Sequence, residues 1–385
     1  MKLHEVKNKK DARHFLDVAR VIYEDDDQWV CPLDAEVEAV FDPRQNTFFS
    51  HGEATRWYMT DDSGKLIGRV AAFINEKKAY TFKQPTGGMG FFESINDREV
   101  AFALFDTARA WLEDRKMEAM DGPINFGEND SFWGLLVEGF TQPGYGMQYN
   151  PPYYKDFFEA YGFYPYFNMY SNHLNVENGL KPRFLRIAQR VLNNPDYSFE
   201  HFDVKRKERY LNALLDVYNA AWKYHENFQP MTYDALSKSF AKAKPIMDQE
   251  MIWYVFKNND PAAFLIMYPD VNMILKHFDG KMNLWNKLRF LYMKKRHYMT
   301  RARLVIMGVK PKYQKLGLES GIFASLNEVM KHKPWVKELE LSWVGDFNPK
   351  MRVIHDAVGS VPAKKHITYR KLFYKEEEQH SKIIR

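Results

Sequence analysis

The same order of hydrophobicity patterns occurs twice along this chain of 385 residues. Each half contains, in turn, a helix, a strand hairpin, a third strand, a long amphipathic helix, a strand, a short helix that ends at glycine, and a last strand. The short helices end at Gly162 and Gly359, and the hairpin turns fall at residues 61–65 and 257–261. Because two unrelated domains would rarely share so long an order, we expect one α/β unit in two tandem copies, residues 1–175 and 176–385.

Composition excludes several classes of protein. The single cysteine, Cys31, excludes an intramolecular disulfide framework and a zinc site built on several thiolates. The 12 histidines show no His-x-x-x-His spacing, so we expect no metal. The first residues lack the apolar core of a signal peptide, and no run approaches the roughly 18 apolar residues that a membrane-spanning helix needs. We therefore expect a soluble, cytoplasmic protein with no membrane partner.

The small net charge of +5 conceals an uneven distribution. Residues 1–175 contain 18 basic and 28 acidic side chains, a balance of −10, whereas residues 176–385 contain 37 basic and 22 acidic side chains, a balance of +15. Such asymmetry suggests that the second half binds an anion and the first half does not. Two ordinary solvated surfaces would explain the charges equally well.

One joint in the second half could hold such an anion. A predicted strand over residues 303–307 leads into a turn that contains Pro311, and a helix begins near Gly317. The first N–H groups of a helix have no partner in the helix and carry the positive end of its dipole, so they can bind a pyrophosphate. Lys310, Lys312 and Lys315 add positive charge. An ordinary strand–turn–helix joint with solvated lysines is the alternative.

This joint resembles the acyl-CoA motif of the GNAT acyl-CoA N-acyltransferase superfamily, Val-x-Pro-x-Tyr followed by Gln/Arg-x-x-Gly-x-Gly/Ala. The similar stretch is Val309-Lys310-Pro311-Lys312-Tyr313-Gln314-Lys315-Leu316-Gly317-Leu318. Glu319 departs from the motif, because it stands where the family usually has Gly or Ala. The resemblance implies two GNAT-like domains, each a mixed, mostly antiparallel sheet flanked by helices. It also implies acetyl-CoA or another acyl-CoA as co-substrate, bound by Met307, Val309, Lys310, Tyr313, Gln314, Lys315, Leu316, Gly317, Leu318 and Asn348.

Two residues in the second half are candidates for proton transfer. Glu340 alternates with leucines on the adjoining predicted strand and could act as a base, with a solvated strand-face carboxylate as the alternative. Residues 354–359 are similar to the family's Leu-Tyr-Glu-Lys-x-Gly segment, and His355 takes the place of its Tyr, which often reprotonates the CoA thiolate. Histidine titrates near neutral pH, so His355 could be the acid, with a surface histidine as the alternative.

The first half carries weaker traces of the same family. Residues 157–163 are similar to the Leu-Tyr-Glu-Lys-x-Gly-Phe segment, with Phe158 at the Tyr position. The joint at residues 90–97 has no Gln-x-x-Gly and is acidic, which disfavours phosphate. As a whole the chain resembles a bacterial group of tandem GNAT proteins. We therefore expect an enzyme with one acyl-CoA site, in the second half, and a small-molecule or peptide amine as the acceptor.

Two other functions remain open. A basic and aromatic stretch suits phosphate contact and base stacking, as in nucleic-acid binding or in a Fem-like transferase that uses aminoacyl-tRNA. Its members are Trp285, Lys287, Arg289, Phe290, Tyr292, Lys294, Lys295, Arg296, Tyr298, Arg301 and Arg303. No long charged helical insertion of the Fem kind is present, so tRNA is the less favoured partner. A GNAT-fold protein that binds a ligand without catalysis is the third possibility, because both Tyr positions are changed.

Overall fold

The computed structural model describes residues 1–128, 131–223 and 230–374. The strands are β1 Lys2–Glu5, β2 Gly52–Thr60, β3 Leu66–Asn75, β4 Thr86–Ser94, β5 Ala119–Gly122, β6 Leu135–Glu138, β7 Tyr164–Asn175, β8 Tyr197–His201, β9 Ile252–Lys257, β10 Asp260–Pro269, β11 Arg301–Val309, β12 Glu338–Gly345 and β13 Val361–Leu372. The helices are α1 Lys9–Ile22, α2 Asp34–Val40, α3 Glu76–Ala79, α4 Arg98–Glu113, α5 Tyr154–Tyr161, α6 Pro182–Leu192, α7 Lys207–Trp222, α8 Tyr233–Ala243, α9 Asn272–Leu275, α10 Leu284–Lys295, α11 Leu318–Lys331 and α12 Pro349–Val358. The predicted α/β fold class is confirmed.

The chain forms two compact units that alternate along the sequence. The first unit contains residues 1–169, 274–292 and 364–374, and the second contains residues 170–273 and 293–363. The predicted boundary after residue 175 concerns the two sequence copies and stays a prediction. The compact units differ from those copies, because a segment around α10 and most of β13 belong to the first unit.

In the first unit the strand order is β1-β2-β3-β4-β5-β13, with β6 also beside β13. The pairs β1–β2, β2–β3, β3–β4, β5–β13 and β6–β13 are antiparallel, and β4–β5 is parallel through α4. The helix α4 forms because Asp97 caps it and because its apolar residues recur at steps of three and four. Its residues Val100, Leu104, Ala108 and Leu112 are buried in the core of this unit.

In the second unit the strand order is β7-β12-β11-β10-β9-β8. The pairs β8–β9, β9–β10 and β10–β11 are antiparallel, and β11–β12 is parallel through α11. One core cluster contains Ile322, Phe323 and Leu326 of α11 together with the strands. A second cluster contains Tyr210 and Leu214 of α7 with other side chains of the same strands. Helices therefore cover this sheet on both faces, and β11, α11 and β12 repeat the arrangement of β4, α4 and β5.

Candidate functional site

The parallel pair β11–β12 opens towards its C-terminal end. Residues 301–304 of β11 pair with residues 338–341 of β12. Both strands continue beyond this ladder, to Val309 and Gly345, and β11 remains paired with β10 up to Val309. Within the described residues the ladder between β11 and β12 ends at Leu304 and Leu341. Beyond Leu304, the backbone edge of β11 is therefore not hydrogen-bonded to β12. This open edge lies directly before the loop that leads to α11.

A β-bulge lies at the point where this ladder ends. Ile266 of β10 is opposite Ile306, but Met267 is opposite Leu304, so Val305 is an extra residue in β11. A bulge leaves its extra residue out of the ladder and turns the strand, and such bulges are frequent next to active sites. The first unit has the corresponding irregularity in β4, because Arg69 is opposite Glu93 whereas Ala71 is opposite Gly90. Each unit therefore has a bulge in the strand that precedes its long helix.

The loop from β11 to α11 presents unpaired backbone N–H groups. Gly317 caps α11 in the left-handed region, with φ of 83°, and no side chain caps the helix. Lys315 is also left-handed, with φ of 65°. Among the described residues, nothing accepts a hydrogen bond from the N–H groups of Lys315, Gly317 and Leu318. Consecutive N–H groups around left-handed residues at the N-terminus of a helix form an anion-binding concavity.

The corresponding place in the first unit is filled by protein. The carboxylate of Asp97 accepts hydrogen bonds from the N–H groups of Glu99 and Val100, at 2.8 and 3.3 Å. The part of β4 that follows its ladder with β5 is also occupied, since the N–H of Ile124 donates to the carbonyl of Met89 at 2.9 Å. A Cβ built on Gly90 would lie 1.8 Å from the carbonyl oxygen of Ile124. The described residues of this joint therefore offer an anion no comparable set of unpaired N–H groups.

Two of the three predicted lysines are neutralised by carboxylates. The Nζ of Lys310, which is buried, lies 2.7 Å from Asp216 and 3.0 Å from Asp260. The Nζ of Lys312 lies 2.7 Å from Asp260, and the hydroxyl of Tyr313 donates to the same carboxylate at 2.6 Å. Burial favours a higher pKa for Asp260, but hydrogen bonds from these three partners outweigh it and hold the pKa well below its ordinary value. Lys310, Lys312 and Tyr313 therefore anchor the start of the loop.

Lys315 is an exposed residue of the loop, as is Lys312. No ion pair involves it in the part of the chain that the structure describes. The amide of Gln314 donates to the carbonyl of Val309 at 3.4 Å, which ties the loop back to the end of β11. Leu316 is exposed, whereas Leu318 begins α11 inside the core. Of the three lysines in the loop, Lys315 is thus the one whose ammonium group has no carboxylate partner within the described residues.

The remaining predicted ligands of the co-substrate have structural partners. Met307 and Val309 are buried on β11, opposite Leu265 and Ala263 of β10. Asn348 caps α12, where its side chain accepts a hydrogen bond from the N–H of Met351 at 3.3 Å. Glu319, in the first turn of α11, lies in partly buried surroundings that raise the pKa of its carboxyl group. The structure therefore brings residues 307–319 into one strand–loop–helix joint and places Asn348 at a different helix terminus.

Glu340 lies in a buried polar cluster rather than on a solvated face. It is 2% exposed, and its Oε2 lies 3.8 Å from Nη1 of Arg301. Arg301 also binds Asp270, through Nε at 2.8 Å and Nη2 at 2.6 Å. Arg303, which is opposite Glu340 in the ladder, donates to the hydroxyl of Ser342 at 3.2 Å. The alternative of a solvated carboxylate is wrong, because Glu340 is almost fully buried and its carboxylate pairs with Arg301 of the neighbouring strand.

His355 is buried in the second unit as well. It is 2% exposed, and burial lowers the pKa of its imidazole to about 4. Its Nε2 has no hydrogen-bond partner within the described residues. The alternative of a surface histidine is wrong. A ring with this pKa is neutral at neutral pH, so it could donate a proton only as a neutral N–H group.

Sequence reasoning missed two features that depend on distant partners. Asp270 belongs to no motif, and the sequence placed Arg301 and Arg303 in the basic and aromatic stretch, although their alternation with apolar residues was visible. In the first unit, the buried Glu93 accepts hydrogen bonds from the hydroxyls of Tyr23 and Tyr154, at 2.7 and 2.9 Å. Burial raises the pKa of Glu93. Sequence gave no signal for this carboxylate beyond an acidic joint.

The described residues contain no cluster of three or more His, Cys, Asp or Glu side chains that could hold a metal ion. None of the helices among these residues is both long and apolar enough to cross a bilayer.

Comparisons with known proteins agree with this architecture. No family model matches the chain. It is 25% identical over 373 residues to Protein YghO of Escherichia coli (strain K12), covering 94% of this chain and 93% of that one. It is 27% identical over 379 residues to Bacterial ceramide synthase of Caulobacter vibrioides (strain NA1000 / CB15N), covering 95% and 96%.

A solved structure matches over nearly the full length of both chains. It is the tandem GNAT protein from the clavulanic acid biosynthesis pathway, without AcCoA, with a TM-score of 0.57 at 12% identity, covering 98% of this chain and 99% of that one. At such identity the likeness concerns the fold. Each unit contains the same strand–helix–strand motif and a bulge in the strand before the long helix, and the chain therefore has the tandem GNAT fold.

Proposed function

We propose that this protein is an N-acyltransferase that moves an acyl group from acyl-CoA to an amine, with one acyl-CoA site at the β11–α11 loop. The observation that carries the proposal is the set of unpaired N–H groups at Lys315, Gly317 and Leu318. A pyrophosphate supplies the acceptors that these donors lack, and the helix dipole adds to the attraction. Asp97 occupies the equivalent position of the first unit, which supports a single site.

The bulge and the open ladder suit a thioester beside the loop. Acyl transfer forms a C–N bond from the amine to the thioester carbonyl and breaks the C–S bond, and the amine loses a proton while CoA leaves as a thiolate. Backbone N–H groups on β11 that β12 does not use could stabilise the oxyanion. We assign the proton from the amine to Glu340, as the sequence suggested. The sequence also suggested that His355 protonates the thiolate. Because its ring is neutral, His355 must take up a proton at one nitrogen while it donates the proton on the other. The guanidinium of Arg301 would hold that carboxylate in place.

The relative named Bacterial ceramide synthase favours a lipid acceptor. A ceramide is a fatty-acid amide of a long-chain amino alcohol, so its synthesis by acyl transfer joins a long acyl group to a long-chain amine. This chain is 27% identical to that protein over 95% of its own length. We therefore propose a long-chain acyl-CoA as donor and a long-chain amine as acceptor.

Thermal unfolding in the presence of CoA, acetyl-CoA and palmitoyl-CoA tests the site. A ligand that binds the folded state raises the melting temperature by mass action. Lys315→Glu should weaken binding of each CoA compound by about tenfold or more, since it removes a charge-assisted contact and adds a repulsive charge. Lys331→Glu, at the other end of α11, makes the same change in net charge far from the loop and should leave binding unchanged. Equal behaviour of the two variants would reject the assigned site.

Release of CoA thiol in the presence of a long-chain amine tests the reaction. Glu340→Gln should lower the turnover number and leave CoA affinity unchanged. The burial of His355 with a neutral ring also favours a second candidate, a ligand-binding protein without transfer. Tight acyl-CoA binding with no thiol release for any amine would support that candidate. Absence of binding to every CoA compound would contradict both.

A further inference from the structure

The helix α10 has two apolar faces, and only one of them is covered. Phe290 and Met293 are buried on one side. On the other side a continuous stripe follows helical steps of three and four residues, and its members are Leu284, Trp285, Leu288, Leu291 and Tyr292. Each of these residues is between 53% and 75% exposed. A helix of a globular domain normally presents polar residues on its outer face, so the stripe marks an interaction surface.

Positive charge borders this stripe. Lys287 and Arg289 lie on the same helix, and Lys294 and Lys295 occupy its last turn. The sequence contains no acidic residue between Asp279 and Glu319. The partner must therefore accept aliphatic and aromatic side chains and also carry negative charge next to them.

We propose that α10 docks on the surface of an anionic phospholipid bilayer and lies in the plane of the interface. Leucines on one face of a helix with lysine and arginine at the border are the composition of interfacial helices. Trp and Tyr, which both lie in the stripe, favour the depth of the lipid headgroups. Basic residues near the bilayer add attraction to anionic lipids. This inference depends on the exposure and charge of α10 and not on acyl transfer.

Two other partners fit the helix less well. Sequence alone suggested nucleic acid for this stretch and no membrane, but Phe290 is buried and three of the five exposed residues are leucines, which cannot stack on bases. A second copy of the chain would place Lys287 and its basic neighbours against the same residues of the partner. A bilayer offers its acyl chains to the leucines and its anionic headgroups to the lysines.

Co-sedimentation of the full-length protein with lipid vesicles tests the proposal. Binding should be strong to phosphatidylcholine vesicles that contain phosphatidylglycerol, weaker to phosphatidylcholine alone, and weaker at high salt. The double variant Leu288→Glu and Leu291→Glu should bind the anionic vesicles at least about tenfold more weakly, because both side chains would enter the interface. The control is Val353→Glu with Val361→Glu, which changes two exposed apolar residues elsewhere and adds the same charge. The control should bind like the wild type.

Circular dichroism and the melting temperature show whether each variant is folded. Tryptophan fluorescence measures vesicle binding by a variant that does not change the net charge. Emission of the wild type should shift to shorter wavelength on vesicles, and Trp285→Phe should reduce that shift while leaving the protein bound. Equal vesicle binding by the double variant and its control would overturn the proposal. Tight RNA binding without vesicle binding would also overturn it. So would a wild-type dimer that does not bind lipid and that is monomeric in the double variant.

Discussion

His355 combines complete burial with a titratable ring. Its Nε2 lacks a hydrogen-bond partner within the described region, and burial lowers the pKa of the imidazole to about 4. Protonation inside the second unit is therefore unfavourable, because the charge would be removed from water without a compensating bond. Asp356, the next residue, opposes this shift only in part. The protonation state of one side chain thus links folding to pH.

This linkage predicts a pH-dependent loss of stability. The unfolded chain binds a proton at His355 below about pH 6.5, but the folded chain binds it only below about pH 4, so the free energy of unfolding falls as the pH drops between these values. Between about pH 7 and pH 5 the contribution of His355 should be about 2 kcal/mol. Urea unfolding at both pH values should show that His355→Gln loses this part of the pH dependence. His332→Gln, at an exposed histidine, should keep it, and equal slopes for all three proteins would contradict the pKa assigned to His355.

At the scale of elements, α4 and α11 begin in opposite ways. The first helix has an acidic cap that occupies its N-terminal N–H groups, whereas the second has a left-handed glycine and no side-chain cap. Gly317 also approaches α6, because a Cβ at this position would lie 2.7 Å from Cγ2 of Ile187. Glycine is therefore needed at position 317 for two reasons, the left-handed dihedral angle and the closeness of Ile187.

Substitution of Gly317 by alanine should separate these two requirements. Gly64 has φ of 89° and nothing within 4 Å of a built Cβ, so Gly64→Ala measures the dihedral cost alone, about 1 kcal/mol. Gly317→Ala should cost about 1–2 kcal/mol more than that, since Ile187 must also move. Thermal unfolding of both variants gives the comparison. If Gly317→Ala were no worse than Gly64→Ala, α6 would not confine the loop.

At the scale of the whole molecule, the end of the chain completes the first unit. Residues 119–122 of β5 pair with residues 369–372 of β13, and residues 135–138 of β6 pair with residues 365–367. Arg370 of β13 binds the buried carboxylate of Asp121 through two hydrogen bonds, at 2.6 and 2.7 Å, and its guanidinium lies 3.7 Å from the ring centroid of Tyr166. A strand from the second sequence copy therefore supplies a buried ion pair to the first unit.

Loss of this ion pair should destabilise the first unit strongly. Arg370→Ala leaves Asp121 buried without its cation, which should lower the free energy of unfolding by about 3–5 kcal/mol. Lys365→Ala, a partly exposed residue of the same strand, should cost less than about 1 kcal/mol. Urea unfolding followed by tryptophan fluorescence measures both. A small effect of Arg370→Ala would mean that water or another group satisfies Asp121.

Local patterns predicted the strand–loop–helix joint at residues 305–321 and the duplication that contains it. These features depend on residues close together in the sequence: apolar periodicity, a proline turn, and a glycine where a left-handed residue is needed. The same holds for α4, whose buried stripe follows directly from its spacing. The free N–H groups were also predictable, because every helix begins with them.

Sequence by itself thus determined the duplicated α/β unit, the position of the loop that resembles the acyl-CoA motif, and the acidic character of its counterpart. Tertiary structure decided what surrounds each charge. It buried Glu340 beside Arg301, neutralised Lys310 with carboxylates from α7 and β10, and assigned most of β13 to the first unit. It also left the apolar stripe of α10 exposed. The reason is physical: periodicity fixes which residues share a face, but burial and ion pairing depend on partners that lie far away in the chain.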